Sequence, residues 1–159
     1  MNENKVPFRA LIVLLLVVTL ASTAFFAKVH VVTSPSINHR FFWKVQGEAH
    51  KGDYVTLHLV NSLVEGGAAD VTKRVGCVEG ETLLLVDRTF YCNGSMLGTA
   101  KLQSLKGKPL PLFEFSGAVP HGMAFMVGDD KNSFDSRYWG FFDLSKPYQK
   151  LTPFRPFGI

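Results

Sequence analysis

Residues 10 to 27 read ALIVLLLVVTLASTAFFA, an apolar run with no charged side chain between Arg9 and Lys28. As a helix rising about 1.5 Å per residue it would be roughly 27 Å long, just enough to cross the hydrocarbon core of a bilayer. The alternative is a cleaved signal peptide, because Ala21, Ser22, Thr23 and Ala24 are small residues of the kind found at cleavage sites. Phe25, Phe26 and Ala27 carry the run past that stretch, which is long for a signal core and predicts a retained anchor. Lys5 and Arg9 precede the run, so the positive-inside rule predicts a cytoplasmic N-terminus and an exported remainder. The chain thus divides into an N-terminus and single-pass anchor, residues 1–28, and an exported domain, residues 29–159.

The exported part is long enough for one domain with a sizeable core and too short for two. The formal charge of +4 is not gathered into a basic block, which argues against a nucleic-acid partner. Five histidines are scattered without HExxH or Cys-Cys-His spacing, so no metal site is expected and no cofactor is implied. Short β runs broken by Gly, Pro, Asn and Asp predict strands at Tyr54–Leu59, Val71–Val78, Thr82–Val86, Thr89–Cys92 and Met123–Val127. Asn93-Gly94 suits a two-residue hairpin turn. Ala100 to Gly122 is a long, weakly patterned connection of the kind that binds something or is loosely ordered. The expected fold class is mainly β, an antiparallel domain on a single N-terminal transmembrane helix. Cys77 and Cys92 would both lie on the exported, oxidising side, where a lone pair reads as a disulfide contributing roughly 3 kcal/mol; two separate buried thiols are the alternative.

Three stretches could carry chemistry. In VVTSPSIN, residues 31–38, Ser34 and Ser36 flank Pro35; a serine there is either part of a turn or a nucleophile in need of a base. In VTKRVGCV, residues 71–78, strand alternation sends Lys73 and Arg74 to opposite faces, so one of them faces inward or into a groove. Arginine stays charged, whereas a desolvated lysine can approach neutrality and act as a base. A solvated Lys-Arg pair on an edge strand is the plainer reading. In MVGDDKNSFDSRYWGF, residues 126–141, a strand runs into a turn dense in Asp, Asn, Ser and Arg, which suits side chains that bond one another.

VPHGMAFMVGDDKNSFDSRYWGF (119–141), TKRVGCVEGE (72–81) and KGDYVTLHL (51–59) resemble, in the same order, blocks of the signal peptidase I family, membrane-anchored serine proteases with a Ser-Lys dyad. The resemblance implies Ser36 as nucleophile, Lys73 as general base and Ser34 as a hydroxyl donor to the oxyanion beside the backbone N–H of Ser36. It implies that Ser133 orients the lysine and that Asp135 and Arg74 form a supporting ion pair, with Arg137 purely structural. Ile37, Asn38 and His39 stand where the family usually has a Met and, soon after, a Pro. Small size, one anchor and the cysteine pair look most like the conjugative-transfer peptidases that mature pilin precursors.

These features together predict an endopeptidase of the inner membrane with its catalytic domain in the periplasm. Its partners would be the lipid bilayer and an exported precursor, a pre-protein or pro-pilin, cut after small residues at the membrane surface. Acyl transfer joining pilin ends would use the same dyad, and a non-catalytic membrane-tethered assembly factor is the rival of a different class. A Ser-Lys self-cleaving regulator shares the dyad but not the anchor. Phe41-Phe42-Trp43 could dip into the membrane interface or serve as strand core.

Overall fold

A computed structural model describes residues 7–155; Lys5, used in the orientation argument, lies outside the described residues. Helix α1, Phe8–Lys28, has no buried residue. Its Thr19 and Thr23 hydroxyls donate to the carbonyls of Leu15 and Leu20, so both polar side chains are satisfied within the helix. The helix passes without a linker into β1, Val29–Val31.

Ten further strands succeed it, with one short helix among them: β2 Phe41–Val45, β3 Tyr54–Val60, β4 Ala68–Val78, β5 Thr82–Val86, β6 Thr89–Cys92, β7 Ser95–Thr99, β8 Gly117–Ala118, β9 Met123–Val127, α2 Ser136–Trp139, β10 Phe142–Asp143 and β11 Tyr148–Pro153. All strand pairs are antiparallel, in a seven-stranded sheet ordered β1-β2-β11-β3-β4-β9-β10 and a four-stranded sheet ordered β7-β6-β5-β8. The fold is therefore mainly antiparallel β on one apolar helix. The five expected strands are present, and Asn93-Gly94, with φ of 47° and 81°, makes the expected turn between β6 and β7. The long connection from Ala100 contains β8 and a bridge between Gln103 and Pro109.

β9 is buried on both faces because it lies between two cores. Ala124 and Met126 pack with Val55, Leu57 and Val75, whereas Phe125 and Val127 pack with Leu83, Phe90 and Tyr138. β4 changes face beside it. Val75 opposes Met126 but Cys77 opposes Phe125, so Gly76 is the extra residue of a bulge. A Cβ on Gly76 would stand 3.0 Å from a Val127 methyl and 3.2 Å from the Phe125 carbonyl, a gap that suits glycine. By turning Cys77 toward the smaller sheet, the bulge lets it form a disulfide with Cys92 of β6. Upstream, Lys73 keeps the register of Val71 and Val75 and is drawn inward with them. In β2 the same alternation buries Phe42 completely and turns Phe41 and Trp43 to the other face.

Candidate active site

Lys73 is buried, at 3% exposure, and its Nζ donates to Ser133 Oγ at 3.1 Å. Its pKa is lowered to about 8, first because burial penalises the ammonium, with Asp135 opposing that shift and the nearby Arg137 charge adding to it. Ser34, Ser36 and Lys73 line one cleft of about 820 Å³. Among the described residues no hydrogen bond joins Lys73 to Ser36.

The two serines of the turn bond each other. The Ser36 backbone N–H donates to Ser34 Oγ at 3.2 Å, and the Ser34 hydroxyl donates to Ser36 Oγ at 3.0 Å. Ile37 is buried against Val32, Phe42 and Leu151 and pins the turn to the sheet. The loop after β9 grips it from the other side. The backbone N–H groups of Asp129 and Asp130 donate to the Ser36 carbonyl at 2.8 and 3.2 Å, and the Asp129 carboxylate accepts the Asn38 N–H at 3.0 Å.

The expected ion pair between Asp135 and Arg74 does not form. Arg74 Nε instead donates to Asp129 Oδ1 at 3.2 Å, because strand alternation places it opposite Tyr54, on the side where Asp129 lies. The Tyr54 hydroxyl also donates to Asp129, at 3.0 Å, and the Tyr54 pKa is raised to about 12, first by burial and then by this bond. Asp135 is fully buried and pairs with Arg137, which donates through Nε at 2.7 Å and Nη2 at 2.8 Å. The same guanidinium donates to the Ser133 carbonyl at 3.0 Å and the Thr99 carbonyl at 2.9 Å. Asp135 Oδ2 also accepts the Gly128 N–H at 2.9 Å. Arg137 thus holds the backbone of the residue that contacts Lys73, a structural part of the kind expected of it.

Asp129, Tyr54 and Gly128 were not expected at the site from sequence. A Cβ on Gly128 would lie 2.1 Å from Ser133 Oγ and 2.9 Å from the Ser36 carbonyl, so this glycine lets the serine turn and the Ser133 loop meet. The Gly-Asp step in MVGDD is the signal that could have found both Gly128 and Asp129.

A buried lysine of lowered pKa in a cleft lined by serines can serve as a base toward a hydroxyl. The family model for signal peptidase, peptidase S26, matches residues 6–150, and the chain belongs to that family of serine peptidases. It is similar to plasmid transfer protein TraF of Escherichia coli, at 27% identity over 157 residues covering 86% of each chain. It is also similar to a signal peptidase I of Enterococcus faecalis V583 of known crystal structure, at 26% identity and a TM-score of 0.42, covering 64% of this chain and 94% of that one.

Proposed function

We propose that the chain is a membrane-anchored serine endopeptidase in which Ser36 is the nucleophile and Lys73 its general base, and that it matures an exported pilin precursor for conjugative transfer. The observation that carries this reading is the burial of Lys73 in the cleft that Ser36 lines, with a pKa lowered to about 8. At pH 7 about one lysine in ten would be neutral, enough for a base that is regenerated each cycle.

Neutral Lys73 takes the Ser36 hydroxyl proton as Oγ attacks the scissile carbonyl. Ser133 orients the amine through its 3.1 Å bond. Rotation of the Ser34 side chain frees the Ser36 N–H, and that N–H and the Ser34 hydroxyl then face the oxyanion. The lysine returns its proton to the leaving amine, and a second cycle with water hydrolyses the acyl-enzyme. Asp129 with Arg74 braces the serine turn, and Asp135 with Arg137 holds the Ser133 loop.

An extended substrate suits the cleft. β4 pairs with β9 only from Arg74 onward, so the backbone edge of Ala68 to Lys73 on that side is unpaired, and Val31–Ser34 form the facing wall. A peptide strand can add to such an edge. Phe134 and Tyr138 line the cleft with fixed aromatic rings, which suits small side chains. The anchor is α1, with the N-terminus in the cytoplasm of the inner membrane and the domain in the periplasm beside the precursor it cuts.

Ser36→Ala and Lys73→Ala, each co-expressed with a candidate pro-pilin, test the assignment. Both should abolish processing; normal processing in both overturns the enzyme reading. The product mass separates hydrolysis from joining of ends, since a joined product is lighter by one water.

A further inference from the structure

An anchor joined to a domain by a loose segment would let the active site wander above the bilayer. Here the junction is braced at three points. The chain leaves α1 at Lys28 and enters β1 at Val29, which is already paired with Trp43 of β2. The Lys44 ammonium donates to the Ala27 carbonyl at 3.1 Å, supplying a partner and a favourable charge to the end of the helix, where carbonyls lack intrahelical donors. Phe25, on the last turn of the helix, packs edge-on against Trp43 with ring centres 5.3 Å apart. Trp43 in turn stacks on Phe154 at 4.3 Å, and the Phe154 N–H donates to the Phe41 carbonyl at 3.0 Å. The bracket therefore reaches from the helix through β2 to the end of β11.

The strand that leaves the bracket also builds the cleft. Val31, Val32 and Thr33 form its wall and lead into Ser34 and Ser36, with Val32 bonded through its N–H to the Arg40 carbonyl at 2.8 Å. Nothing between the helix end and the serine turn is a free linker. Resting on the reading of Ser36 and Lys73 as a membrane-anchored peptidase, we infer that Phe25, Trp43 and Lys44 fix the height of the cleft above the bilayer. They thereby select the peptide bond to be cut by its distance from the membrane. Phe25 and Lys44 are then specificity-determining residues that never touch the substrate.

The test uses the full chain in lipid nanodiscs and a set of designed precursors, each an apolar spanning segment followed by an Ala-x-Ala site moved outward in one-residue steps by a Gly-Ser spacer. The wild type should cut a narrow range of spacers. Phe25→Ala/Lys44→Ala should cut a broader range, while hydrolysing a short soluble peptide in detergent at the wild-type rate. An unchanged narrow range in the double variant overturns the inference.

A second measurement is independent of activity. The structure has no free cysteine among the described residues, so Ala21→Cys and Asp87→Cys would supply a pair for spin labels on helix and domain. The distance distribution should be narrow in the otherwise wild-type chain and broad in the double variant. A broad distribution in the former overturns the bracket outright. If the wild type cleaves neither precursor nor peptide, the peptidase reading fails and the distance measurement alone decides whether the bracket exists.

Discussion

Gly128→Ala should separate the fold from the chemistry. The φ of Gly128 lies outside the left-handed region, so the backbone admits alanine and the effect is purely one of space. The new methyl would stand 2.1 Å from Ser133 Oγ and 2.3 Å from its Cβ, where atoms do not approach within 3.0 Å, so Ser133 must retreat by roughly 1 Å. It is not free to do so. Its N–H donates to the Asp130 carbonyl at 3.0 Å, its carbonyl accepts from Arg137, and its hydroxyl accepts from Lys73. Overpacking of this kind costs about 1 to 3 kcal/mol, and misplacing an active-site group by about 1 Å lowers kcat/KM by about 100-fold. Urea unfolding and peptide hydrolysis measure the two effects. Gly128→Ala/Ser133→Gly removes the clashing Ser133 Cβ and Oγ, leaves only the 2.9 Å approach to the Ser36 carbonyl, and should recover much of the stability but not the activity. If Gly128→Ala alone keeps kcat/KM within a few-fold of wild type, Ser133 does not position Lys73 and the reasoning fails.

The kcat/KM for a peptide should rise with pH to a plateau with a midpoint near 8, as Lys73 loses its proton; a profile flat from pH 6 to 9 removes Lys73 as the base. Lys73→Met should stabilise the domain at neutral pH by up to roughly 3 kcal/mol, the burial penalty implied by the lowered pKa. The folded pKa lies below the unfolded one, so that penalty is complete below about pH 8 and fades as pH rises toward 10.5; the difference in urea stability between variant and wild type should shrink over that window. Arg137→Met should cost about 3 to 5 kcal/mol in the same assay, because it leaves Asp135 charged, fully buried and without its partner. Trp139→Phe should cost less than about 1 kcal/mol despite the lost ring volume, since the indole Nε1 is buried with no hydrogen-bond partner among the described residues; a larger loss in urea unfolding counts against that relief.

The parts of this molecule that are legible in the sequence are those whose cause is local. Helix α1 is one uninterrupted apolar run, and alternation in β4 requires one of the adjacent cations Lys73 and Arg74 to turn inward without saying which. The strands that sequence does not reveal lack such local cues. β11 carries Gln149 and Lys150 amid its apolar residues and owes its place to pairing with β2 and β3, more than 80 residues earlier in the chain. The ion pairs differ from expectation for the same reason. Nothing near Arg74 or Asp135 in sequence distinguishes the one's partner from the other's; the choice depends on the face each side chain takes once β4 and β9 are in register. Arg74 and Lys73 are neighbours in the chain, yet Arg74 reaches Asp129 beside the serine turn while Lys73 reaches Ser133 behind it. Asp129 and Ser133 belong to one short loop, whose backbone also holds the Ser36 carbonyl. The two cations of β4 are therefore both set against the loop after β9, one through each face of the strand. Strand alternation buries Lys73 against Ser133 and turns the half-buried Arg74 to Asp129, so a single strand holds two points of the loop whose backbone grips the Ser36 carbonyl.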